Sequence, residues 1–85
     1  MTEDKQKLPK WFDGELYNEG GKVYNPFSGE GYELNNLELS IYDFIMGAQS
    51  LFEAGFMDKK ILADFEEALK WFRTNNSKAY MVLLD

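Results

Sequence analysis

Residues 34–55, LNNLELSIYDFIMGAQSLFEAG, carry the start and stop signals of a single helix, and the rest of the fold is read outward from them. Asn35 is a good N-cap and Glu38 stands three places on. That spacing makes a capping box: the cap side chain accepts from a first-turn N–H, and the glutamate reaches back to the N–H of the cap. Leu34 before the cap and Leu39 at the fourth helical position form a hydrophobic staple. Leu37, Ile41, Phe44, Ile45, Ala48 and Phe52 then recur at helical spacing, and Gly55 supplies a left-handed cap. The pattern predicts a helix over 36–54. Gly47 inside it costs about 1 kcal/mol relative to alanine, so close approach of another backbone is the expected reason for it.

Downstream the same grammar repeats. Asp58 is a cap, Met57 can staple to Leu62, and Ile61, Phe65, Ala68, Leu69 and Phe72 form one apolar stripe that ends at Asn75 and Asn76. A second helix is expected over 58–75. Only Phe56 and Met57 separate Gly55 from Asp58, so the two helices pack as an antiparallel or steeply crossed pair. The last residues allow two readings. Ser77 can cap a short helix over 77–84 with Tyr80, Leu83 and Leu84 inward, or the run 79–84 can be a strand; the helix is the favoured expectation.

Upstream, residues 15–34 read as a short antiparallel β-meander. Leu16 and Tyr17 precede Asn18-Glu19-Gly20-Gly21, whose paired glycines suit a tight hairpin before Lys22-Val23-Tyr24. Asn25-Pro26-Phe27-Ser28-Gly29 is a second turn signature, because proline presets φ at the first central position and glycine tolerates the exit. Gly31-Tyr32-Glu33-Leu34 completes the meander. A sheet this small needs a helical layer on one face. The fold class expected is therefore α+β, with a short meander packed on two or three helices. Residues 1–10 read as a flexible tail and 11–85 as a single small domain.

Composition bounds the chemistry. With 85 residues, no cysteine and no histidine, the chain has no disulfide, no Cys-based zinc site, no thiol nucleophile and no imidazole base. Stability must come from apolar packing, for which seven Phe, five Tyr and two Trp are available. The net charge of −6 is uneven: residues 11–57 carry eight acids against Lys22 alone, while 58–85 are balanced. The simplest reading of that charge is solubility. It disfavours nucleic acid and anionic membranes, which need clustered lysine and arginine, and it permits a basic protein partner. No stretch approaches the roughly 20 apolar residues of a membrane span. MTEDKQKLPK has no apolar core for a signal sequence, so a cytoplasmic location is expected.

Each candidate for chemistry has a plainer competitor. Asp64, Glu66 and Glu67 are paired carboxylates in principle, but at their spacing they face away from the Phe65 stripe, and Glu66 with Lys70 makes an ordinary helical ion pair. Asp13-Gly14-Glu15 begins like a calcium loop, but Leu16 and Tyr17 interrupt the alternating oxygen ligands. Gly29-Glu30-Gly31 lacks the third glycine of a dinucleotide loop and carries an acid that repels phosphate. Lys7, Lys10, Trp11 and Phe12 mix base and ring as single-strand binders do, against the alternative that Trp11 simply docks on the core. Tyr42, Asp43 and Met46 lie off the main stripe of the first helix, and with Tyr24 and Phe27 they are the candidate exposed aromatic patch for a protein partner. The competing reading is a first helix buried on two sides.

The run 25–48, NPFSGEGYELNNLELSIYDFIMGA, resembles one that recurs in small uncharacterised proteins of bacteriophages. The likeness covers roughly a third of the chain and rests on the Asn-Pro-Phe-Ser-Gly turn and the capped helix with Tyr-Asp-Phe-Ile. It implies an infected bacterial cytoplasm and a small binding protein, and it transfers no functional residue. The expected function is a non-enzymatic protein-interaction module, a phage-encoded modulator of a host protein, with no cofactor and no metal. The alternative is a structural, self-assembling protein whose extra aromatics bury a homo-oligomeric interface.

Overall fold

The computed structural model describes residues 7–12, 14 and 16–84. In chain order its elements are β1 (Gly21–Tyr24), β2 (Gly31–Leu34), α1 (Asn36–Glu53), α2 (Lys59–Asn75) and α3 (Ser77–Leu83). The fold is α+β, with the two strands forming one antiparallel hairpin. Local signals place both ends of α1 and the start of α2. At α1 the Asn35 side chain accepts from the Glu38 N–H at 2.8 Å, and Glu38 Oε1 accepts from the Asn35 N–H at 2.9 Å. Both halves of the capping box are thus closed. Its other end is a Schellman motif: the Gly55 N–H donates to Phe52 O and the Phe56 N–H to Leu51 O. That geometry puts Gly55 at φ +90°, a conformation that side chains resist. Asp58 caps α2 by accepting from the N–H groups of Lys60 and Ile61.

The C-terminal ambiguity resolves as a helix. Asn76 rather than Ser77 caps α3, its side-chain oxygen accepting from the Ala79 N–H at 3.1 Å. Asn76 also closes α2 through its own N–H to Phe72 O, so one residue ends one helix and starts the next.

The meander is corrected to a hairpin: Leu16 and Tyr17 form no strand. The Tyr17 backbone is committed to α1 instead. The Tyr17 N–H donates to Ser40 Oγ at 2.9 Å, and Tyr17 O accepts from Asn36 Nδ2 at 3.3 Å. Gly20 and Gly21 do not make a hairpin turn. A Cβ on Gly20 would stand 2.0 Å from the Leu34 carbonyl oxygen, so this glycine is where the chain passes against the junction of β2 and α1. The chain reverses at 25–30, bringing Val23 opposite Tyr32 and Lys22 opposite Glu33.

Gly47 is also corrected. It is exposed, and nothing lies within 4 Å of the place its Cβ would occupy, so no backbone approaches it closely. Gly47→Ala is expected to raise the unfolding free energy by about 1 kcal/mol through helix propensity alone. A urea titration with an unchanged slope and a higher midpoint checks this, and a lower midpoint would contradict it.

The core joins Phe12, Leu34, Ile41, Tyr42, Ile45, Ala68, Phe72, Ala79 and Leu83. The helices pack in chain order, α1 on α2 and α2 on α3, and β2 leans chiefly on α3. The short C-terminal helix therefore does much of the covering that two long helices were expected to do. The segment 7–12 is docked: Trp71 Nε1 donates to Lys7 O at 3.0 Å, and the rings of Trp11, Phe12 and Phe44 meet with centroids 5.7–6.2 Å apart. Phe12 is buried by this packing, and Trp11 and Phe44 are half-buried. Residues 1–6 of the expected tail lie outside the described residues. Among the described residues no helix is long and apolar enough to cross a membrane.

Candidate functional site

The most unusual surface feature is built by Asn25. Its side-chain oxygen accepts from the N–H groups of Phe27 at 2.7 Å and Ser28 at 3.2 Å. Its backbone closes the loop on both sides, donating to Glu30 O and accepting from Gly29, both at 2.8 Å. Its side-chain amide donates to Val82 O at 2.9 Å, which ties the turn to the last turn of α3 and satisfies a carbonyl that helix geometry leaves open. The 25–30 turn is thus anchored by a dense set of hydrogen bonds, and it carries Phe27 at 97% exposure. An aromatic ring held that far into water gains nothing for the fold.

Two hollows flank this ring. One, of about 200 Å³, runs inward between the turn and the helices past Ile45, Met46, Phe65 and Leu69. The other, of about 210 Å³, lies on the surface of α1 and is lined by Pro26, Phe27, Met46, Gln49, Ser50 and Glu53. The α1 residues stand at one-turn intervals from Met46, so they form one strip beside the turn.

The five sequence-predicted residues separate. Phe27 and Met46 come together at the hollows. Tyr24 is half exposed on the outer face of the hairpin, where its ring covers Gly31 and lies 5.6 Å from Lys22 Nζ. Asp43 is exposed and accepts from the Tyr17 hydroxyl at 3.0 Å. Tyr42 belongs to the core rather than to a surface patch, with 8% exposure. It lies on the side of α1 that packs inward, so the reading of a helix buried on two sides holds at this position. Gln49, Ser50, Glu53 and Pro26 were missed. Counting three, four and seven residues on from Met46 finds the first three; only the folded turn brings in Pro26.

Burial pushes the Tyr42 hydroxyl above its ordinary value of 10.0, because the phenolate is desolvated in the fold. The folded-state pKa therefore lies above the unfolded one. The associated stability is fully present below pH 10 and is lost as pH rises through the folded-state value. Denaturant unfolding between about pH 9 and 11 should show native stability falling more steeply than that of Tyr42→Phe. Equal slopes would refute the assignment.

The other sequence candidates lie apart from this site. Asp64 pairs with Lys60 at 2.5 Å on α2, Glu66 and Glu67 are exposed, and no group of three acids among the described residues can hold a metal ion. Gly29-Glu30-Gly31 leaves the turn and enters β2. Asp13 and Glu15 lie outside the described residues. No family model, no curated protein and no solved structure matches this chain, so the rigid turn, its exposed ring and the two hollows are what a functional reading has to stand on.

Proposed function

We propose that this protein is a non-enzymatic interaction module that holds a protein partner at the Phe27 turn and the adjoining strip of α1. The observation that carries the reading is Phe27 itself, 97% exposed on a turn that Asn25 locks from both sides. Rigid presentation lowers the ordering cost of binding, and aromatic anchors supply most of the energy at protein interfaces. The likeness of residues 25–48 to small bacteriophage proteins supports a cytoplasmic partner in a bacterial host.

The full chain used as bait in a bacterial lysate should retain a stoichiometric partner that Phe27→Ala releases. Because the ring contributes nothing to the core, the variant should melt with the native protein. Equal capture by the two would overturn the assignment of this surface. A self-assembling protein is the second reading, favoured by the exposure of Phe56, Met57 and Met81. Light scattering at micromolar concentration separates the two, since a strict monomer removes self-assembly.

A further inference from the structure

The surface hollow has a chemistry of its own. Met46 and Pro26 offer apolar surface, the ring of Phe27 is open, and Glu53, Gln49 and Ser50 each carry an oxygen acceptor, all around one space of about 210 Å³. Glu53 is the charged residue in the lining, and no lysine or arginine lines either hollow. It also sits in the last turn of α1, where no basic side chain is present. The carbonyl end of a helix is its negative pole, so an acid there is unfavourable and an incoming cation is favoured. In the sequence, residues 11–57 carry eight acids against one lysine, and the whole chain has a net charge of −6, so mutual repulsion disfavours a second copy of this chain as occupant.

Resting on the interaction reading above, we infer that this hollow receives an arginine side chain from a basic segment of the partner. The methylene stem lies on Met46 and Pro26, the guanidinium stacks on the Phe27 ring, and its N–H groups reach the acceptors of Glu53, Gln49 and Ser50. Arginine is preferred to lysine because its flat, weakly hydrated head both stacks on a ring and donates several hydrogen bonds in one plane.

The test is an NMR titration of the full ¹⁵N-labelled chain with three capped hexapeptides, Ala-Arg-Leu-Ala-Arg-Leu and its lysine and glutamine analogues. The arginine peptide should move the amide signals of Phe27, Gln49, Ser50 and Glu53, bind more tightly than the lysine peptide, and outbind the glutamine peptide by about tenfold at low salt. Glu53→Gln and Phe27→Ala should each weaken it by about threefold; Phe27→Ala should melt as the native protein does, and Glu53→Gln at or slightly above it, since it removes an acid from the negative end of α1. Shifts spread over all surface acids, or an affinity that Glu53→Gln leaves unchanged, would overturn the arginine assignment. The two readings fail differently. A captured partner that Phe27→Ala releases, while Glu53→Gln and added salt do not, would keep the interface and remove the arginine. A partner indifferent to Phe27→Ala would remove the interface itself.

Discussion

Glu38→Ala is expected to lower the unfolding free energy by about 3 kcal/mol, since buried hydrogen-bond partners left unsatisfied cost about 1–3 kcal/mol each. Glu38 is 4% exposed, yet it does more than complete a capping box. One carboxylate oxygen holds the Asn35 N–H, and the other accepts from Asn76 Nδ2 at 2.9 Å. Asn76 in turn caps α3 with its side-chain oxygen. A single buried carboxylate therefore joins the start of α1 to the start of α3, residues 38 positions apart in the chain. Alanine removes the Glu38 acceptor from both the Asn35 N–H and the Asn76 amide, which weakens the α3 cap as well.

Glu38→Gln keeps one carbonyl oxygen but turns an amide N–H₂ toward a donor, so it should lose less, about 1–2 kcal/mol. Asn76→Ala removes the same link from the other side. In a double-mutant cycle with Glu38→Ala, the two losses should fall short of additivity by about 1 kcal/mol. Urea unfolding of the four proteins measures this. Strict additivity, or a Glu38→Ala loss below about 0.5 kcal/mol, would show that the link carries no energy.

Gly20→Ala is the second large effect, about 2–3 kcal/mol destabilising, at the upper end of the range for forced overpacking. The added methyl would meet the Leu34 carbonyl oxygen at 2.0 Å and Asn35 backbone atoms at 2.8–2.9 Å. No rotamer change relieves contacts with main chain, so β2 and the α1 cap must shift. The neighbouring glycine is the control. A Cβ on Gly21 would stand 3.7 Å from Leu39 Cδ2, an ordinary contact, so Gly21→Ala should be close to neutral. Thermal melting of both variants decides the point. Equal effects would mean that loss of glycine flexibility, rather than the close passage at Gly20, is responsible.

These two positions show where reading the chain by itself succeeds and stops. Asn35 with Glu38 was legible as a cap because a capping box is complete within four residues. That Glu38 also holds Asn76 was not legible, because no local pattern relates the starts of two helices so far apart. Gly20 was legible as a glycine that had to be there, but the reason was misread. Paired glycines after two β-prone residues look like a tight turn, whereas Tyr17 spends its backbone groups on Ser40 and Asn36 of α1. Gly47 erred the other way: a helical glycine implied close packing, and the fold leaves it in water.

At the candidate site, Tyr42 and Met46 both read as lying off the main stripe of the first helix; Met46 joins Phe27 at the hollows, whereas Tyr42 goes into the core. Helical spacing gives the angle of a side chain around its own axis, not which neighbour lies at that angle. Tyr42 and Met46 are one turn apart on α1. The first lies against the body of the domain, and the second lies under the lip of the 25–30 turn.

The caps of α1 and α2, the 25–30 turn and the lengths of the two long helices were determined by sequence, because each depends on backbone groups and side chains within four or five residues of one another. The number of strands, the docking of 7–12 on Trp71, and the hollow between Phe27 and Glu53 were decided by tertiary structure alone. Each depends on which distant backbone donors and apolar faces meet in the fold, and a hydrogen bond satisfied across the fold, such as that of Tyr17 to Ser40, removes the group from any local pattern that would otherwise have claimed it.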